Sequence, residues 1–317
     1  MLKIVAGLAL LCCLGAFLPR AGVAGEPPAE NARPVEIVDD SGAVVRLPAP
    51  ARRLLPLYAG LGETLAAMGL TEYVVGRTVS DDSLPASLPA VGTHMRPNIE
   101  LAAALRPDLV LLLEGREEAG LIADSFTRLG IPVARFRVAS FAGLFSCIGR
   151  LGVLTGEPDK AASLEQSLRQ RLAAVESRVA GLGRRPVIFF EVRYPNLLGA
   201  GGDSMPGDII RAAGGVNCLD GRKDRMVRLS EESLVLMNPD VYLIQQGAMN
   251  KNPAPLDERP HFRALSATVN GRFFNVPESR FSRPGPQSVL AVAELAAIVM
   301  RWHAESGRRA AGAAPQP

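Results

Sequence analysis

The sequence predicts an α/β protein built as two lobes, and three features of the chain predict it. Short helical stretches alternate with short β-rich runs, the pattern of parallel strands whose faces are covered by helices. A helix–Pro–Asp–strand unit, "IELAAALRPDLVLLL" at 99–113, returns as "EESLVLMNPDVYLIQ" at 231–245. A long helical tract, "EPDKAASLEQSLRQRLAAVESRVAGL", separates the two halves. The recurrence has two readings at this point. One is ordinary αβ chemistry met twice by chance; the other is a pair of similar lobes facing each other across a cleft.

The elements follow in order. Residues 25–35 form a flexible leader rich in proline and small residues. The first lobe spans 36–145. It opens with "VEIVDDSGAVVRLP", two strand-like runs around a turn at Ser41–Gly42. "RRLLPLYAGLGETLAAMGL" gives a strand and a helix ending near Gly69, and "YVVGRT" a short strand. "GTHMRPNIELAAALRPDLVLLL" gives a loop, a helix and a strand, with Pro107 stopping the helix and Asp108 able to cap the turn. "GLIADSFTRLG" is a helix closed by Gly130, and "IPVARFR" the next strand. A helical segment, 146–183, follows. Its second helix carries apolar positions at Ala162, Leu164, Leu168, Leu172 and Val175, and about 23 helical residues would span roughly 35 Å. The second lobe, 184–305, repeats the grammar and ends in an amphipathic helix; 306–317 reads as a frayed tail.

Of 317 residues, 48% are apolar and 21% charged, enough for a sizeable core. The 35 Lys and Arg face 32 Asp and Glu, spread along the chain. Without a concentrated basic surface there is no nucleic-acid signal.

The first 24 residues read as a secretory signal peptide. "MLK" is a short basic start, Ile4–Leu18 is an apolar run, and Gly22 and Ala24 invite cleavage after Ala24. The run is short for a membrane span, which needs roughly 20 residues. Cys12 and Cys13 lie inside it and do not follow small residues, so they argue poorly for a lipid anchor. Removal of 1–24 takes Lys3 and Arg20 and no acid, leaving 33 basic against 32 acidic residues. Only Cys147 and Cys218 remain, as one disulfide or as two buried thiols.

Four stretches carry a family resemblance: "PNIELAAALRPDLVLL", "GGDSMPGDIIRAAGG", "LSEESLVLMNPDVYLI" and "SRFSRPGPQSVLAVAELA". In their order and spacing, over about 35–305, the chain resembles the substrate-binding proteins of ABC importers that carry iron–siderophores, haem or vitamin B12. The resemblance implies two α/β lobes joined by one long rigid helix, a ligand groove between them, and no chemistry on the ligand. It implies a periplasmic, monomeric protein without an intrinsic cofactor, whose partners are the inner-membrane permease and a small metal chelate: haem, a ferric siderophore or cobalamin. It also implies that one acid on each lobe docks on permease arginines; Glu100 and Glu232 match those positions. Physically, each is equally a first-turn glutamate favoured by the helix dipole.

Ligand-binding candidates come from loops beyond strand ends, where open sheets bind ligands. His94 and Met95 precede the 99–104 helix. His94 is a candidate metal ligand within a bound chelate, a hydrogen-bonding group in the groove, or an ordinary surface histidine. Tyr58 could stack on a flat macrocycle, ligate ferric iron or belong to the core, and with Tyr194 it would put an aromatic on each wall. Arg77, Arg96, Arg193, Arg280 and Arg283 could grip carboxylates, or be solvated surface groups. Gln246 and Asn250, after the "DVYLIQ" strand, would suit an amide-rich ligand.

Other functions fit less well. "GGDSMPGD" lacks the lysine of a P-loop, and HExxH, CxxC and GxSxG are absent, so an enzyme is disfavoured. A free-ion binder needs several His and carboxylate ligands, and His94, His261 and His303 are few. An adhesion or sensor role on the same fold is a further alternative.

Overall fold

The computed structural model describes residues 33–115 and 117–312. The signal peptide, its cleavage point, Cys12, Cys13, most of the leader and the last five residues lie outside the described residues.

The chain enters through a hairpin, β1 (Val35–Val38) and β2 (Val44–Leu47), which forms its own antiparallel sheet. Its turn falls at Ser41–Gly42, with Gly42 at φ 84°. Asp39 sets the turn by accepting from Ser41 N (2.9 Å) and Ala43 N (3.0 Å). Its second oxygen accepts from Arg135 N at 3.0 Å, which ties the hairpin to the first lobe.

The first lobe is β3 (Leu54–Pro56), α1 (Ala59–Ala67), α2 (Ile99–Ala104), β4 (Leu109–Leu113), α3 (Glu117–Arg128) and β5 (Val133–Phe136). The three strands pair in parallel in the order β3–β4–β5. All five residues of β4 are buried, since helices cover both faces. The run "YVVGRT" is not a strand. It makes only isolated bridges, Leu54 to Val74 and Arg77 to Ala90, within a long irregular stretch. Its apolar residues pack without a partner strand long enough to make a ladder.

Next come α4 (Phe141–Thr155) and α5 (Pro158–Val179). Ser140 caps α4 by accepting from Gly143 N, and Gly156 ends it at φ 65°. At 22 residues, α5 is about 33 Å long and carries the chain from one lobe to the other. Its buried stripe is Ala161, Leu168, Val175 and Val179, with Leu164 and Leu172 partly buried. Ala162 lies one helical step off that stripe and is exposed. The helices approach closely where α4 has Gly152; a Cβ there would sit 2.6 Å from the Ala161 methyl.

The second lobe contains β6 (Val187–Arg193), β7 (Leu198–Ala200), α6 (Met205–Ala212), β8 (Val216–Asn217), β9 (Met226–Arg228), α7 (Glu231–Met237), β10 (Val241–Gln246), α8 (Ser266–Val269), β11 (Phe273–Pro277), α9 (Glu278–Phe281) and α10 (Ser288–Gly312). Its sheet runs β11–β10–β6–β7–β9, with β8 also on β6. The sheet is mixed: β7 is antiparallel to both β6 and β9. A tight return after β6, with Asn196 at φ 61°, makes that local hairpin. The last helix, α10, runs on past residue 305 to Gly312, so the first part of the expected tail is helical.

The repeated unit is a structural repeat as well. Asn98 and Ser230 cap their helices from the same position. Ala102 and Leu234 fill the same buried site. Arg106 and Asn238 both turn the chain at positive φ, 48° and 41°. The aspartates do more than cap a turn: each tethers the lobe's first strand. Asp108 accepts from Arg52 N (2.7 Å) and Arg53 N (3.0 Å), and Asp240 from Val187 N (3.0 Å).

One continuous apolar core runs from β4 and β5 through α4, α5 and α10 to β6 and β10. Helix α5 packs against α4, α10 and α6, so the bridge is braced along its length. Cys147 and Cys218 are separate free thiols, the first buried and the second half-buried. Burial pushes the Cys218 thiol up to about 12 and raises that of Cys147 as well.

Candidate functional site

Both sheets turn the carboxyl ends of their parallel strands toward one cleft. Tyr58 follows β3, Glu114 and Gly115 follow β4, and Val138 and Ala139 follow β5. From the second lobe come Val192 of β6, Gln245 of β10 and Glu278 after β11. The cleft has two chambers that share Val138, Ala139 and Arg225.

The first chamber is narrow and opens to solvent. Tyr58 stands on its lobe-one side; Met205, Pro206, Met226 and Met249 line its lobe-two side, and Arg225 and Arg283 add charge. The second chamber is roomier and more cationic: Arg137, Lys223 and Arg225 sit at its wall, with Glu114 and Asp203 as the acids. Arg211 also lines it but is tied to Asp208 and Asp220. Glu114 is paired with Arg135 at 3.3 Å.

Two similar α/β lobes, a helical bridge and a cleft at the strand ends match a known family along most of the chain. Residues 55–279 match the model of the family described as periplasmic binding protein. The chain belongs to the periplasmic binding protein family. This bears out the resemblance to ABC-importer substrate-binding proteins seen in the four sequence stretches.

Individual relatives are distant. An ABC transporter substrate-binding lipoprotein, YvrC, of Bacillus subtilis is 26% identical, with 83% of this chain and 84% of the relative covered. A cobalamin-binding protein of Halobacterium salinarum is 27% identical, with 88% and 79% covered. Among solved structures, the periplasmic heme-binding protein RhuT from Roseiflexus has a TM-score of 0.70 at 22% identity, covering 80% of this chain and 99% of that one, a likeness of fold.

In this periplasmic binding protein the residues singled out by sequence fall into three groups. Tyr58 and Arg283 line the first chamber. Tyr58 holds the N-cap position of α1, and its ring meets His94 edge-on, with centroids 5.7 Å apart. His94 and Met95 line a small void behind the cleft wall, with Leu57, Leu112 and Ile122. Arg283 pairs with Asp82 at 2.7 Å. Burial works against charge on Asp82, but the hydrogen bond and charge of Arg283 hold its carboxyl below the ordinary range.

Arg193, Tyr194 and Asn250 line a shallow groove on lobe two, with Arg228 and Lys251, that shares Met249 with the cleft. Two of them serve the scaffold. Tyr194 donates to Glu231 (2.9 Å) and lies beneath the Arg259 guanidinium at 4.1 Å. Asn250 is buried and donates to Glu191 and to Gln245 O, both at 3.0 Å.

The rest lie outside both chambers. The Arg77 guanidinium donates to the carbonyls of Thr78 (3.2 Å) and Ala86 (3.4 Å), holding its own loop. Arg96 is exposed. Arg280 pairs with Glu294. Gln246 is exposed, while its neighbour Gln245 is buried against the cleft; strand alternation puts the two on opposite faces.

Glu100 and Glu232 are both exposed in the first turns of α2 and α7, and neither forms an ion pair among the described residues. The carboxyl of Glu232 is held below its ordinary value by its own backbone N–H and by Ser230.

Sequence reasoning missed Arg137, Met205, Lys223, Arg225, Met226 and Met249. Arg137 was within reach, since it ends the "IPVARFR" run expected as a strand. The methionines carry no such signal, because an apolar residue reads as core until its neighbours are known.

Proposed function

We propose that this protein captures a metal chelate in the interlobe cleft, outside the cytoplasm, and delivers it to the membrane permease of an ABC importer. Haem is the chelate that suits the cleft best. The observation that carries this reading is the make-up of the cleft: a tyrosine facing a methionine-lined wall, with cations at the margin. Tyr58 on one side and Met205, Met226 and Met249 on the other offer apolar faces to a flat ligand. Arg137, Lys223 and Arg225 suit carboxylates at its edge. The Tyr58 phenolate is a chemically suitable ligand for ferric iron.

Two observations favour this over the alternatives. Among the described residues no group of three or more His, Cys, Asp or Glu is arranged to hold a metal ion, so a bare-ion site lacks a donor set. Among the described residues Gln245 is the one amide side chain lining the two chambers, few for an amide-rich ligand such as cobalamin. In this reading the protein binds and releases its cargo without chemistry, and Glu100 and Glu232 are its permease contacts.

The test is titration of the purified protein with ferric haem, cyanocobalamin and ferric siderophores, followed by absorption and mass. A Soret band shifted on binding, and changed in Tyr58→Phe, is the expected result. Tight binding of cobalamin or a siderophore with no haem uptake would overturn the choice of haem.

A further inference from the structure

Beside the cleft the lobes meet at a second junction. Its lobe-one side is α1 and the loop after Thr78; its lobe-two side is the turn from Ser282 to Gln287 that leads into α10. Arg283 donates to Asp82 at 2.7 Å and to Ser80 O at 3.5 Å. The backbone N–H of Gln287 donates to Glu63 at 2.6 Å. The backbones also close on each other. A Cβ on Gly60 would lie 2.0 Å from Pro284 O, and one on Gly285 would lie 2.9 Å from the Glu63 carboxylate. Glycine at both positions is what lets the junction form.

Inside it are two carboxyl groups with little compensation. Glu63 is 5% exposed and Asp81 is 3% exposed. Glu63 Oε2 and Asp81 Oδ2 are buried without a hydrogen-bond partner among the described residues. Glu63 faces the Gln287 N–H and Arg283 from the turn, and Asp81 and Asp82 from the loop. Asp81 accepts from Ser83 N and feels Arg283, Asp82 and Arg77. Arg283, already committed to Asp82, is thus shared among three acids, and Arg77 adds its charge at Asp81 alone.

We propose that this junction is a clasp between the lobes, that it holds Arg283 in position on the cleft wall, and that Glu63 is its proton-sensitive member. Only the effect on ligand rests on the cleft being the binding site, as proposed above.

The sign follows from the burial. Desolvation, partly opposed by Gln287 N–H and Arg283, raises the Glu63 carboxyl from 4.5 to about 7. Desolvation likewise raises Asp81 from 3.8 to about 6. A raised carboxyl binds its proton more tightly in the closed junction than in water. Its stabilising contribution is therefore complete below its ordinary value and is lost as pH rises through the raised one. The clasp holds hardest in acid and slackens between pH 4.5 and about 7.

The direct test is carboxyl-carbon NMR of the full chain labelled in glutamate. Glu63 is expected to titrate near pH 7, with the Gln287 amide moving at the same midpoint. A midpoint below about pH 5, close to an ordinary glutamate, would overturn the proposal. Melting of wild type and Glu63→Gln across the same pH range adds a second measure: the variant should gain on wild type as pH rises, and parallel curves count against the clasp. With ferric haem as the probe, release should quicken severalfold from weakly acid to weakly alkaline buffer in wild type but not in Glu63→Gln. If haem does not bind, the choice of ligand fails while the first two measurements still decide the clasp. If haem binds and its release has the same pH dependence in both proteins, the link from clasp to cleft is wrong.

Discussion

The two lobes share one local design but stabilise it differently. In lobe one, α2–β4 leads into a sheet whose central strand is wholly apolar and buried. In lobe two, α7–β10 flanks a buried polar network. Glu191, fully buried on β6, accepts from Arg259, from Tyr242 (2.6 Å) and from Asn250 (3.0 Å). The Tyr242 hydroxyl is raised well above its ordinary value, first by burial and then by the charge of Glu191. The solvent-facing side of the repeat also diverged: where α2 has Ala104, α7 has Leu236, 87% exposed. The difference shows which features of the repeat the backbone requires. Caps, positive-φ turns and strand tethers are common to both lobes, while the filling is free to differ.

If the lobes also dock as equivalents, reversing both Glu100 and Glu232 to Arg should abolish uptake by the complete importer while leaving ligand affinity unchanged. Each single reversal should impair it similarly. Transport assays in reconstituted vesicles would check this, and uptake that survives the double change removes the docking assignment.

The internal difference predicts a smaller but clear effect. Arg259→Leu strands the Glu191 charge and should cost about 3–5 kcal/mol, read by urea denaturation. Replacing the charged pair together, Glu191→Gln with Arg259→Leu, should recover part of it. If Arg259→Leu costs only about 1 kcal/mol or less, as loss of an exposed ion pair would, the network does not stabilise lobe two.

The smallest effect tests what the lobes share. Asp108→Ala and Asp240→Ala each remove a charged acceptor from strand-entry amides and should each cost about 1.5–3 kcal/mol. Asp108, with two N–H donors, should cost more. A loss at only one position would mean that the repeat is similar in shape alone.

Much of this was legible before the structure. The capped helices, the proline stops, the Ser41–Gly42 turn and the long bridge follow from short-range chemistry, which depends on neighbours in the chain. Within the site, Tyr58 was legible because it follows a strand and opens a helix. Arg77 and Arg280 could not be placed from the sequence, because an arginine in a loop looks the same whether it faces a ligand, a carbonyl or a glutamate.

The sequence by itself determined the kinds and order of the elements, since periodicity, caps and breakers act over a few residues. The tertiary structure alone decided which side chains share the cleft and that Glu63 meets Gln287 from the far end of the chain. It also decided that Gln245 rather than Gln246 faces inward. Those outcomes depend on register and on contacts between segments far apart in the chain, where desolvation and charge act through space.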